Sequence, residues 1–488
     1  MYGIYTIFYI WLNIEILFYI YIHFYLIPKI QPIKSGVKYC FEKPIKTFYK
    51  LFAILSKIHK YSFKDFFNKW CDNKPFIEKS GGVEKDHDVG FLSYSGERPY
   101  EYGMNIKNSH KVVSYNKIIS WLSWVIYNES VFNLHPIQLK NVNKLSNQII
   151  EKYYNHSTTT STSKELNKNI QMFSLVPITH IHHPLFIYLL FWGARLCGDL
   201  IIKKSGFIYC ETSSGLSYWY KESVNKTQTP IIMFHGISFL GWYYYYKLIK
   251  GFNNRTIILI NYKGILINSL CIKELHYLTN PFIFSKNILE IIHKYNLQEI
   301  SVIGHSWGTF LVKWAFLQKY TYSSKNPITK YIKNITLIDP VALSVFLPET
   351  TNTILYSSFN TLKIVDLCIC YFIKNDLTIS YNLQRHFEWY NTVIFLDEIP
   401  KHINLVIGIS IKDNFMDSLT TIKIIKEFIK KCNNKKRTKL IIWKNLQHSD
   451  AIVNNKTVKQ IKNAIFEKPR YKIYKNKNTS IIKTHQYT

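Results

Sequence analysis

The chain has 488 residues, 47% hydrophobic and 19% charged, a balance that excludes a wholly disordered or collagen-like polypeptide and allows up to about three domains. Lys and Arg number 62 against 31 Asp and Glu, a formal net charge of +31. Gly is scarce at 18 while Tyr reaches 37 and Phe 31, the bias of an A+T-rich coding sequence. The charge therefore reads as Lys spread over a solvated surface, and no aromatic-basic module marks a nucleic-acid site.

The chain opens on an apolar, aromatic run, Met1–Ile27, broken mainly by Asn13, Glu15 and His23. It is long enough for a bilayer-spanning helix, which needs about 20 residues. No Lys or Arg precedes it, and Lys29, Lys34 and Lys38 follow. The expectation is a single-pass membrane anchor with the remainder of the chain on the cytosolic side. The eight cysteines (Cys40, Cys71, Cys197, Cys210, Cys271, Cys368, Cys370 and Cys432) include no C-x-x-C pair. Free thiols in a reducing compartment, and no metal site, are expected.

Residues 28–205 read as a mostly helical region. It contains Trp121 and Trp124 at helical spacing, a Ser/Thr-rich linker at 157–163 and a second apolar stretch at 184–202. Arg195 and Asp199 fall four apart in that stretch, on one face of a helix. The pattern fits a helix in the membrane surface and a packing helix equally.

From 206 to 453 the pattern becomes short β-branched runs, at Ile231–Phe234, Thr256–Ile260, Ile300–Ile303, Ile335–Ile338, Leu405–Ile409 and Leu440–Trp443. Between them lie helical stretches such as Ser285–Tyr295 and Thr309–Lys319. Continuous apolar strands alternating with helices predict an α/β fold with a mostly parallel sheet covered on both faces. Residues 341–403 are too long for a plain connection and rich in aromatics, which suggests a helical cap that favours apolar substrates. Residues 454–488 form a basic tail with Glu467 its only acid.

Gly304-His305-Ser306-Trp307-Gly308 follows the run Ile300–Ile303 and opens a helical segment. That is the context of a nucleophile elbow, G-x-S-x-G, whose sharp strand-to-helix turn raises a Ser hydroxyl above the sheet edge. Gly304 and Gly308 remove side chains that would collide there. An alcohol needs a base and the base an orienting acid, in chain order Ser, acid, His. Asp413 lies where the run Asn404–Ser410 opens into a loop, and His448 follows Leu440–Trp443. Asp339, closing the strand after the elbow helix, is the alternative acid; Asp417 lies further off. The oxyanion would meet the backbone N–H groups of Trp307 and of Ile237, which follows His235-Gly236 at the end of Ile231–Phe234. His235 reads as a residue that shapes its loop rather than as a base.

From about Tyr218 to Asp450 the chain resembles the α/β-hydrolase superfamily, in particular eukaryotic members with an N-terminal membrane segment. The resemblance rests on His183-Pro184-Leu185, Tyr218-Trp219-Tyr220, His235-Gly236, the elbow, Leu337-Ile338-Asp339-Pro340-Val341 and Arg385-His386-Phe387-Glu388-Trp389-Tyr390. It implies an α/β-hydrolase fold, a Ser nucleophile and hydrolase chemistry. Trp307 departs from it, since a smaller apolar residue usually follows the nucleophile. The expected protein is thus a membrane-anchored serine hydrolase acting on an ester or related acyl bond of an apolar small molecule or lipid. Membrane lipid would be its other partner, and no metal or organic cofactor is needed. The alternatives are an inactive scaffold of the same fold and an acyltransferase using the same triad.

Overall fold

A computed structural model describes residues 2–30, 42–55, 66–67, 69–70, 113–154, 158–159, 172–266, 280–317, 327–355, 370–385, 388–431, 437–466 and 479–482. The chain divides into two compact units, Phe67–Met172 and a larger one of Met1–Phe66 with Phe173–Thr488.

In the larger unit, α1 runs from Tyr2 to Ile20 and continues through a π-helical turn, Tyr21–Leu26, into Ile27–Ile30. Helix α2 spans Glu42–Leu55. The smaller unit is built on α3 (Tyr115–Tyr127) and α4 (Pro136–Tyr154), which bury Trp121, Leu122 and Trp124 on one and Val142, Leu145 and Ile149 on the other. Thr158 and Thr159, in the stretch read as a linker, pair in parallel with Val113 and Ser114; the rest of 157–163 lies outside the described residues.

The larger unit resumes with α5, Leu185–Lys204. It then forms strands β1 (Ile208–Glu211), β2 (Ser217–Lys221) and β3 (Ile231–Phe234), a short helix α6 (Tyr246–Lys250) and β4 (Ile257–Asn261). Helix α7 (Pro281–Lys294) leads to β5 (Ile300–His305), and α8 (Gly308–Val312) passes into a π-helical turn, Lys313–Leu317. Strand β6 (Ile332–Ile338) precedes the helical insertion, which includes α9 (Pro348–Leu355) and α10 (Leu377–Arg385). Strand β7 (Asn404–Ser410), α11 (Ser418–Lys431), β8 (Thr438–Trp443), α12 (Asn455–Phe466) and β9 (Thr479–Ile482) complete it.

The nine strands form one sheet in the order β9-β8-β7-β6-β5-β3-β4-β2-β1. From β4 to β8 every pairing is parallel, whereas β2 runs antiparallel to both β1 and β4, and β9 to β8. All residues of β3 and β5 are buried, as expected of strands covered on both faces. Tyr218-Trp219-Tyr220 is itself strand β2, which the sequence reading set outside the strands. Helix α12, in the stretch read as tail, sets Val458, Ile461 and Ile465 into the core beside Trp443. Each such side chain, fully buried, contributes about 1.5–3 kcal/mol.

Helix α7 shows how local sequence fixes an element. Asn280 accepts hydrogen bonds from the N–H groups of Phe282 and Ile283, and Pro281 occupies the first helical position, where its missing N–H costs nothing. Phe284, Ile288 and Ile291 then form the buried stripe.

Candidate active site

Strand order reverses at β3. The chain steps from β3 to β4 on one side, then crosses back to β5 on the other. The crevice beyond the carboxyl ends of β3 and β5 is therefore a topological switch point, where ligands of open α/β sheets bind. Phe234 is in register with Gly304, so the loops leaving the two strands lie side by side.

Ser306 sits at the elbow with φ +52°, a left-handed conformation that costs a non-glycine residue energy. Its N–H donates to the Ile338 carbonyl at 2.9 Å, and its carbonyl accepts from Thr309 N–H at 3.0 Å, so β6 and α8 hold the turn from both sides. The tightness explains two glycines. A Cβ on Gly308 would lie 2.3 Å from the Phe234 carbonyl oxygen, and one on Gly236 would lie 2.9 Å from the Ser306 Cβ.

His448 and Asp413 converge on that serine. His448 Nε2 lies 2.7 Å from Ser306 Oγ, and His448 Nδ1 lies 2.6 Å from Asp413 Oδ2. Asp413 Oδ1 accepts from the N–H groups of Phe415 and Met416 at 2.7 and 3.1 Å, which orients the carboxylate. The arrangement fits a neutral imidazole that donates Nδ1–H to Asp413 and accepts the serine proton at Nε2. Burial works against the charged ring, but the Asp413 carboxylate, with Asp339 and Asp450 adding to it, holds the His448 pKa above the ordinary range. Phe415 stacks obliquely on the ring at 4.8 Å between centroids.

The other candidates take other positions. Asp417 accepts from the N–H and hydroxyl of Thr420 and caps α11. Asp339 is fully buried at φ +44°; its Oδ1 accepts from Ser410 N–H at 2.8 Å and its Oδ2 from Ser449 N–H at 3.1 Å. Burial, and then the charge of Asp413, raise its pKa. His235 is buried with Nδ1 2.7 Å from the Gly236 carbonyl, and burial lowers its pKa to about 4, which leaves it neutral. Trp307 is nearly buried, edge-on to Phe310. Of the pair Arg385 and His386, Arg385 holds the carbonyls of Ser174 and Val176; His386 lies outside the described residues.

His305 joins a chain of bonds that sequence reasoning missed. Gly236 N–H donates to the Tyr245 hydroxyl at 2.6 Å, and that hydroxyl lies 2.8 Å from His305 Nδ1. His305 Nε2 lies 3.2 Å from Ser449 Oγ. Burial first, and then the neighbouring His448, push the His305 pKa down, so the ring is neutral and passes one hydrogen bond along. The Ile237 loop is thereby tied to the His448 loop through Tyr245 and His305. The aromatic run Trp242–Tyr246 signals packing, but nothing in it singles out Tyr245.

Asp339, Asp413 and His448 bring two carboxylate oxygens and a ring nitrogen within 4.8 Å of one another, the one such cluster among the described residues. Their oxygens already accept from four backbone N–H groups and the imidazole. The donor set is therefore built for hydrogen bonds within the protein rather than for a cation.

The family model described as alpha/beta hydrolase fold matches residues 229–364, a span that runs from β3 through the elbow into the insertion. With the sheet order, this match shows an α/β-hydrolase fold in the larger unit. Similar solved structures include naproxen esterase (carboxylesterase NP) from Bacillus subtilis, at 12% identity over 57% of this chain and 97% of that one, TM-score 0.37. A lipase-esterase related protein from Clostridium acetobutylicum is 17% identical over 50% and 98%, TM-score 0.35. A bacterial membrane phospholipase A is 11% identical over 57% and 96%, TM-score 0.39. No curated protein matches the chain.

Proposed function

We propose that this protein is a membrane-anchored serine hydrolase that cleaves an ester or related acyl bond, with Ser306 as nucleophile, His448 as general base and then acid, and Asp413 as the orienting acid. The observation that carries the reading is the unbroken relay from Ser306 Oγ to His448 Nε2 at 2.7 Å and from His448 Nδ1 to Asp413 at 2.6 Å.

In the first half-reaction Ser306 Oγ attacks the carbonyl carbon while its proton passes to His448 Nε2. The developing oxyanion is held by the N–H groups of Ile237 and Trp307. Collapse of the tetrahedral intermediate expels the alcohol, which takes the proton from His448 and leaves an acyl-Ser306. Water, deprotonated by the same imidazole, then releases the acid and restores the serine. The helical insertion between β6 and β7, with Phe346, Tyr390 and Phe395 buried in it, supports an apolar acyl group as the substrate class.

Membrane anchoring is supported by Tyr5–Ile30, a run of 26 residues whose 18-residue apolar window has mean hydropathy 1.6 and is 11% buried. Lys29 near its end supports a cytosolic catalytic domain.

The test is fluorophosphonate labelling of the full chain. The wild type should be labelled and should cleave a short-chain ester, and Ser306→Ala should do neither. Full-strength labelling of Ser306→Ala would remove the serine from its role. A wild type inert to both would favour the scaffold reading.

A further inference from the structure

Helix α5 has two unlike faces. On one, Tyr188, Gly198 and Ile202 are buried, and this stripe grips the loop that follows β3. Phe191 packs on Phe239 with 5.5 Å between ring centroids and edge-on against Phe372 of the insertion at 5.3 Å. Gly198 fits so closely that a Cβ there would lie 2.8 Å from the Tyr243 Cβ and 3.2 Å from the Leu240 carbonyl oxygen. Phe239 stands two residues beyond Ile237. The other face presents Phe186, Leu189, Leu190, Trp192, Leu196 and Leu200, each between 43% and 62% exposed. Their spacing is that of one stripe along a helix, and a run of large apolar side chains of this length marks an interaction surface.

What covers that stripe is indicated by α1. Glu15 accepts hydrogen bonds from the N–H groups of Leu185 and Phe186 at 2.8 and 3.4 Å, so the middle of α1 docks on the first turn of α5. Of α1 and its continuation to Ile30, the stripe Phe18, Ile22, Leu26 and Ile30 is buried against residues such as Tyr188 and Leu377, and Tyr19 and His23 on the same side meet the rings of His182 and His180. Its other sides leave apolar residues such as Ile7, Phe8, Leu17 and Phe24 between 64% and 75% exposed. A protein partner covers one face of a helix, whereas a lipid medium surrounds it. Basic residues stand at the ends of both helices, Lys29 on one and Lys203 and Lys204 on the other, where anionic headgroups lie.

We propose that the exposed stripe of α5 is seated in an anionic lipid bilayer beside α1. Because the opposite stripe of the same helix holds the oxyanion loop, the active site then opens at the membrane and takes long-chain acyl esters from it. The substrate half of this proposal rests on the hydrolase reading above; the seating of the helix does not.

Two measurements test it on the full chain in vesicles of phosphatidylcholine and phosphatidylserine. In the first, Leu190→Glu/Leu196→Glu should lower turnover of umbelliferyl oleate in the vesicles by about tenfold or more. Umbelliferyl butyrate turnover and fluorophosphonate labelling should stay within about twofold of wild type, because the packed stripe is untouched. An equal fall on both esters, or no fall on either, would overturn the access route. In the second, brominated acyl chains should quench tryptophan fluorescence, and Trp192→Phe in a Ser306→Ala background should remove part of that quenching. This readout needs no catalysis, so it stands even if the chain hydrolyses nothing. Unchanged quenching in Trp192→Phe would overturn the seating, and a dimer that Leu190→Glu makes monomeric would assign the stripe to a second copy instead.

Discussion

The Asp339 carboxylate accepts the backbone N–H of Ser449 at 3.1 Å, one residue beyond the imidazole that meets Ser306. Ser449 holds φ +72°, and Asp339 itself holds φ +44°. With its other oxygen on Ser410 N–H, one buried side chain ties the end of β6 to the end of β7 and to the His448 loop. Asp339 thus bridges two loops, while the carboxylate that meets the His448 ring is that of Asp413.

Asp339→Asn should reveal this role in the pH profile. The amide can accept only one of the two N–H groups, so kcat should fall about tenfold to a hundredfold with little change in KM. Asp339 also helps raise the His448 pKa. The base must be neutral to act, so activity rises as pH passes that pKa. Losing the negative charge should move the acidic limb of kcat/KM to lower pH.

Asp413→Asn and Asp417→Asn should separate the two neighbouring acids. In the first, the amide oxygen stays with the Phe415 and Met416 N–H groups, so an NH2 faces His448 Nδ1 and holds the ring in the wrong tautomer; kcat should fall by about 10⁴, the effect of the corresponding change in a serine protease triad. The second weakens the cap of α11 and should leave kcat alone while costing at most about 1 kcal/mol of stability. Steady-state kinetics and urea unfolding of both variants check the contrast.

Gly236→Ala should act on catalysis more than on folding. Its Cβ would arrive 2.9 Å from that of Ser306 and push the Ile237 loop from the elbow. A displaced oxyanion donor costs about 10²–10³ in kcat, and single-turnover acylation of a short-chain ester measures it.

Tyr245→Phe deletes the hydroxyl between Gly236 N–H and His305 Nδ1 and leaves two buried polar groups without a partner. The expected loss is about 1–3 kcal/mol for each group, seen as a lowered urea midpoint, together with a fall in kcat because the Ile237 loop loses its tie.

Much of the sheet was legible because parallel strands buried on both faces must be continuously apolar, as Ile231–Phe234 and Ile300–Ile303 are. The elbow was legible for a related reason: a turn this tight accepts few residues, and its glycines stand at fixed offsets from the serine. Strand β2 escaped notice because it lies toward an edge, and its register with β4 is set by a partner about 40 residues away. Helix α12 escaped because lysines on its outer face masked the stripe Val458, Ile461 and Ile465.

Residue order alone determined the candidates. A serine between glycines, an acid after β7 and a histidine after β8 are local facts, readable from strand ends without coordinates. Their distances, the assignment of Asp339 to two backbone N–H groups, the Tyr245–His305 tie and the two faces of α5 were decided only in three dimensions. A hydrogen bond falls off within about half an ångström of its optimum, and groups as far apart in the chain as Ser306 and His448, 142 residues, meet that tolerance only once the core around them has packed.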